Sequence, residues 1–251
     1  IQMEWTLDHH PPILLLLRSL PENPELCSHV RSLRLDGRIF MTKSGGSETP
    51  DALPRTVSLP FLELSQAITR TGVSQDVADS WKRKTQLGVA NAVIALLMSI
   101  LPNLASLSLQ SNWTIESHYL GHRFRLALCN PRRDGFQHQL PTFQALTTVE
   151  TASKRTNNQN PADILALLNL PNIQTLSASI NNPIHFAWPS EHPPAPLTLT
   201  SLELHRIRED CIGPVLSGLT SLQTLRYGCF YQSDIDEEVS DEITKLDIIA
   251  S

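Results

Sequence analysis

The sequence predicts an α/β fold in which short parallel strands build one curved sheet and helices line its convex side. Three observations predict it. The stretch Leu101 to Gln110, LPNLASLSLQ, spaces Leu101, Leu104, Leu107 and Leu109 by three, three and two. The last step has the period of a strand and puts both leucines on one face, while the three-residue steps bring Leu101 and Leu104 in from the preceding turn. The spacing then recurs, in Val30, Leu33 and Leu35; in Leu140, Phe143 and Leu146; in Leu170, Ile173 and Leu176 with Ala178; in Leu199, Leu202 and Leu204; and in Leu219, Leu222 and Leu225 with Tyr227. Finally, helical periodicity lies between copies, as in Val89, Val93, Leu97 and Leu101 at steps of four.

With Leu33, Leu107, Leu146, Leu176, Leu202 and Leu225 as strand anchors, the intervals are 74, 39, 30, 26 and 23 residues. The later ones approach the roughly 20 to 29 residues of a leucine-rich repeat. The expected architecture is therefore an irregular leucine-rich-repeat solenoid, one domain over residues 1–251, regular toward its carboxyl end and loaded with insertions toward its amino end.

In chain order, Ile13 to Leu20 reads as a short helix closed by Pro21 and the Asn23-Pro24 turn signal, and Pro24 to His29 as a second helical turn leading into a strand at Arg31 to Asp36. At this point the string LLLLRSLPENPELCSHVRSLRLDG, residues 14–37, resembles the segment that follows the F-box in fungal F-box-type proteins, where it opens an irregular leucine-rich-repeat region. The resemblance implies the target-recognition part of a ubiquitin-ligase substrate receptor, with a protein as its target and a ligase adaptor as a second partner if an F-box precedes the repeats. The twelve residues before Ile13 are too few for that three-helix module. As the chain opens on Ile1, a fragment of a longer protein is expected.

Residues 41–54 turn to Ser, Gly, Thr and Pro around Ser44-Gly45-Gly46-Ser47 and read as a flexible loop. They lack the Lys-Ser/Thr ending of a phosphate-binding loop. Val57 to Ile68 reads as a short helix or a degenerate repeat; Ser74 caps a helix through Val77 and Trp81; and Val89 to Leu101 is a core helix, too short for the roughly 20 apolar residues a bilayer requires. An insertion at 112–141 holds the turn signal PRRDG. Lys154 to Pro161 is a polar loop before a helix at Ala162 to Leu168, and the aromatics of the proline-rich stretch Pro183 to Pro196 are expected to pack. Residues 234–251 read as a solvated acidic tail.

Composition narrows function. A net charge of −5 and a pI near 6.0 leave no concentrated cationic surface for nucleic acid, since Lys82-Arg83-Lys84 and Arg132-Arg133 are short patches. No membrane partner is expected. Cys27, Cys129, Cys211 and Cys229 form no CxxC pair, which favours a reducing compartment and hence an intracellular location, cytoplasmic or nuclear, over the secretion that the sequon Asn112-Trp113-Thr114 would accompany. His118 and His122 share the i, i+4 spacing of some zinc sites but have no HExxH glutamate or third ligand, so no metal and no cofactor is expected. GxSxG, HExxH and paired carboxylates in an apolar frame are missing, and no catalytic residue is assigned.

What remains is a binding surface. Residues flanking each inward anchor point the other way by the strand period. They are Ser32, Arg34 and Asp36; Ser106, Ser108 and Gln110; Ala145, Thr147 and Val149; Thr175, Ser177 and Ser179; Ser201, Glu203 and His205; Thr224, Arg226 and Gly228. The candidate partner-binding set on this concave face is Arg34, Asp36, Ser108, Gln110, Thr147, Ser177, Ser179, Glu203, His205 and Arg226, with a neutral middle and charged ends. The alternatives are a structural or secreted repeat scaffold and, further off, an enzyme without a recognisable motif.

Overall fold

Every strand of the sheet follows its predecessor in both space and sequence. The computed structural model describes residues 2–4, 12–36, 61–110, 118–129, 142–151, 165–179, 188, 190, 193–207, 209–229 and 244–249. Within these, β1 (Gln2–Glu4), β2 (Ser32–Asp36), β3 (Ser106–Leu109), β4 (Thr148–Thr151), β5 (Thr175–Ser179), β6 (Ser201–Ile207), β7 (Thr224–Cys229) and β8 (Thr244–Ile249) form one open sheet in the order β1 to β8. All neighbours are parallel except β7 and β8, which are antiparallel.

Register makes this an ordered stack. Leu33, Leu107, Val149, Leu176, Leu202 and Leu225 pair in sequence across β2 to β7, and so do Leu35, Leu109, Thr151, Ala178, Leu204 and Tyr227. All but the half-buried Tyr227 are buried, so both rows face the core. The backbone just before the strands repeats as well. The carbonyls of Arg31, Ala105, Thr147, Gln174 and Thr200 each accept two N–H groups from the following unit, beginning with those of Ala105 and Ser106 and ending with those of Gln223 and Thr224. Asn103 and Asn172, each in a Leu-Pro-Asn turn, donate Nδ2 to the preceding unit at Ser28 (3.0 Å) and Gln144 (2.8 Å). Those two amides satisfy carbonyls that the sheet leaves over.

The helices cover the leucine face. α1 (Pro12–Glu22) and α2 (Pro24–His29) precede β2; Pro21 lies inside α1 and does not close it, and the break falls at Asn23-Pro24. Between β2 and β3 lie α3 (Phe61–Arg70), α4 (Gln75–Gln86) and α5 (Ala90–Ile100), packed on one another, and they account for the 74-residue interval. Ser74 is the N-cap residue of α4, although its hydroxyl makes no capping bond. Gly88, at φ 70°, ends α4 in the left-handed conformation that glycine adopts without a Cβ penalty, and its N–H reaches the Thr85 carbonyl. α5 is buried from Ala90 to Met98 and is a core helix on all sides rather than one with a single apolar stripe. Trp81 of α4 packs beside it and donates Nε1–H to the Ala92 carbonyl at 2.9 Å.

The insertion after β3 contains a helix, α6 (His118–Leu128), lying on α5, so the 112–141 segment belongs partly to the helical layer. Of the segment read as a helix over 162–168, Leu165 is helical and Ala166–Asn169 is a 3₁₀ turn, while 162–164 lie outside the described residues. Within the segment read as an acidic tail, Thr244–Ile249 forms strand β8 on the edge of the sheet. β1, too short to leave a periodic signal, was not anticipated. The 41–54 loop, Asn112, Arg132-Arg133, Lys154 to Pro161 and the acidic residues 234–243 lie outside the described residues. α7 (Glu209–Leu216) connects β6 to β7.

Trp188 is half-buried against the core, in line with packing of the proline-rich stretch. A tight contact holds the end of that stretch: a Cβ placed on Gly218 would collide with the Pro194 carbonyl oxygen. Gly218→Ala is therefore expected to cost about 1–3 kcal/mol through overpacking, and Gly213→Ala, which meets open space, far less. Thermal unfolding of the two variants checks this; equal midpoints would place Pro194 elsewhere.

Candidate functional site

The sheet face opposite the helices carries polar side chains in register. One row is Arg34, Ser108, Glu150, Ser177, Glu203 and Arg226, paired in that order across β2 to β7. A second row, one strand period earlier, is Ser32, Ser106, Thr148, Thr175, Ser201 and Thr224. Each of its members bears a hydroxyl, and none is buried.

Hydrogen bonds organise the first row across strands. Ser108 Oγ donates to Glu150 Oε2 at 2.9 Å, and Ser177 Oγ donates to Glu203 Oε2 at 3.2 Å. His205 Nε2 lies 3.3 Å from Glu203 Oε1. Arg34 Nε reaches both carboxylate oxygens of Asp36, at 3.0 and 2.9 Å, so that pair is locally neutral. The serines thus hold two carboxylates upright on β4 and β6, with β5 between them. Such exposed bonds add little stability, on the order of 0–1 kcal/mol each, but they limit the rotamers the carboxylates visit.

Several predicted residues fall where expected by register: Arg34, Asp36, Ser108, Ser177, Glu203, His205 and Arg226 lie on the outward face, and Gln110 follows β3 directly, its N–H on the Leu35 carbonyl. Others do not. Thr147 precedes β4, equivalent to Ala105 and Gln174, and its Oγ1 donates to the Ala105 carbonyl at 3.3 Å. Val149 is inward and fully buried, and Ala145 lies in the turn. Ser179 is outward by register yet only 4% exposed, so no partner can reach it directly.

The residue missed was Glu150. It overturns the neutral middle, since a carboxylate stands at the centre of the row. A signal for it existed: Phe143, Leu146, Val149 and Thr151 carry the three, three, two spacing, with threonine in the slot that leucine, alanine or tyrosine fills elsewhere. With Val149 as anchor the intervals become 74, 42, 27, 26 and 23 residues.

Away from this face, one buried group is unusual. Arg123 on α6 is 1% exposed; its Nε donates to Ser99 Oγ at 2.8 Å, and its guanidinium carbon lies 5.3 Å from the centroid of Phe143, while among the described residues Nη1 and Nη2 have no hydrogen-bond partner. Burial pushes its pKa down to about 9. Phe143 itself sits at φ 51°, a left-handed conformation held by its packing against Phe124.

α6 carries both His118 and His122, whose side chains lie outside the described residues. Among the described residues no group of three or more His, Cys, Asp or Glu could hold a metal ion, and no helix is long and apolar enough to cross a membrane. Cys27 is a free thiol, and Cys129 Sγ accepts a hydrogen bond from Asn169 Nδ2 at 3.5 Å. Comparisons with protein-family models, with curated proteins and with solved structures find no match to this chain.

Proposed function

We propose that this chain is an irregular leucine-rich-repeat solenoid whose outward sheet face binds a protein partner, serving as the target-recognition part of an F-box-type ubiquitin-ligase substrate receptor. The observation that carries the binding role is the ordered polar row: six side chains in unbroken register across six strands, none of them buried, with two carboxylates held by serines. The matched carbonyls before each strand and the 27-, 26- and 23-residue spacing of the last anchors support the solenoid reading. The ligase role rests on the resemblance of residues 14–37 alone. We place the protein inside the cell, cytoplasmic or nuclear, on its cysteine usage.

Affinity capture from a fungal lysate tests both parts. The full-length protein is compared with Ser177→Trp, which puts a bulky ring in the middle of the face without touching the core. Proteins retained by the parent and lost by the variant identify the face as the binding surface. Equal recovery would remove that role. Recovery of a ligase adaptor and a cullin with both forms supports the receptor assignment, and their absence from both removes it.

A further inference from the structure

Resting on the binding role just proposed, the geometry points to one class of partner: an extended, polyproline-type peptide segment with two basic residues three positions apart, lying across the strands over Glu150 and Glu203.

Spacing carries the choice. Neighbouring strands lie about 4.8 Å apart, so Glu150 on β4 and Glu203 on β6 stand about 9.6 Å apart along the row. A polyproline helix has three residues per turn and rises about 3.1 Å per residue, which returns a side chain to the same face every 9.3 Å or so. A β-strand does not fit, because its residues i and i+3 point to opposite faces, and i to i+4 spans about 13 Å. An α-helix returns to one face at i+7, about 10.5 Å on, a poorer match, and its backbone groups are already paired within the helix.

The neighbouring row supplies the second requirement. Ser106, Thr148, Thr175 and Ser201 present hydroxyls that bond to no described protein group, one per strand, about 6.7 Å along the strands from the carboxylate row. A polyproline helix makes no internal hydrogen bonds and keeps its carbonyls exposed. Two hydroxyls fall within each three-residue turn and can donate to those carbonyls whatever the intervening residues are. The acids therefore set where the basic residues fall, and the hydroxyls hold the backbone between them.

Charge closes the fit. Arg34 and Asp36 neutralise each other at one end of the row, which leaves Glu150 and Glu203 as its acidic positions. Ser108 and Ser177, by orienting Glu150 and Glu203, reduce the ordering cost when the peptide arrives.

Fluorescence anisotropy with labelled proline-rich peptides containing Arg-Pro-Arg, Arg-Pro-Pro-Arg or Arg-Pro-Pro-Pro-Arg provides the test, at two salt concentrations. The expected result is tightest binding for the two-proline spacing, by at least fivefold over the others. Affinity should fall about tenfold in Glu150→Gln and in Glu203→Gln, several-fold in Thr148→Val with Thr175→Val, and not at all in Glu63→Gln on α3. The double variant Glu150→Lys with Glu203→Lys should instead prefer Asp-Pro-Pro-Asp. Indifference to spacing, or binding unchanged in both glutamine variants, overturns the inference. If Ser177→Trp still abolishes lysate capture in that case, the face remains a binding surface for another kind of partner; if capture also ignores Ser177→Trp, both proposals fall together.

Discussion

Arg123→Met is expected to raise the stability of this protein by about 3 kcal/mol at neutral pH. The guanidinium is 1% exposed, and among the described residues it faces no carboxylate and its terminal nitrogens have no hydrogen-bond partner. A fall in pKa from its ordinary value to about 9 corresponds to a penalty of about 5 kcal/mol for the charged form in the folded state. The bond to Ser99 and the stacking on Phe143 return about 1 kcal/mol each, which methionine forfeits while filling a similar volume. Burial wins by the difference.

The same penalty gives the native protein a distinct pH dependence. Below about pH 9 both states keep the proton, so the cost is constant. Above it, the native state sheds the proton while the unfolded chain still holds one, so this residue makes stability rise with pH up to the ordinary guanidinium range. Denaturant melts of parent and variant between pH 7 and 10.5 read this directly: the gap should be widest at pH 7 and narrow above pH 9. A variant that melts below its parent across the range would mean that a group compensating Arg123 exists in solution.

Val149→Asp is the second large effect, and the one that tests the register of β4. Val149 is fully buried between Leu107 and Leu176, and a carboxylate there loses its hydration with no cation to meet it. The change is expected to cost more than 4 kcal/mol, enough to leave little folded protein at ambient temperature. Glu150→Lys, one residue on and facing outward, should stay within about 0.5 kcal/mol of the parent. Circular dichroism and urea melts of the pair separate the two registers. A strand with Thr147 and Val149 outward would tolerate the aspartate readily.

The contrast at β4 marks where the sequence was legible. Leucine at three, three and two identifies the inward rows of β2, β3, β6 and β7 directly, because a strand alternates faces with period two and apolar side chains leave water. At β4 the last inward slot is Thr151, whose buried hydroxyl has no hydrogen-bond partner among the described residues. A polar residue in an apolar slot made Leu146 look like the anchor, three residues early, and hid Glu150. Ser179 shows the converse failure: alternation places it outward, but accessibility depends on neighbours that periodicity does not encode.

Sequence by itself determined the α/β class, the chain-ordered strands, the helices α1, α2, α4 and α5 and the inward leucine rows, since each follows from local periodicity, turn signals or the aversion of apolar side chains to water; at α3 it left a helix and a degenerate repeat open. Only the tertiary structure decided which polar residues share a row, that Glu150 and Glu203 stand two strands apart with a hydroxyl row beside them, that β1 and β8 extend the sheet, and that Arg123 is buried away from any carboxylate among the described residues. These depend on pairing between residues up to 74 positions apart in the chain, as from Leu33 to Leu107. Cross-strand register is set by the packing of the whole stack, and no local pattern carries it.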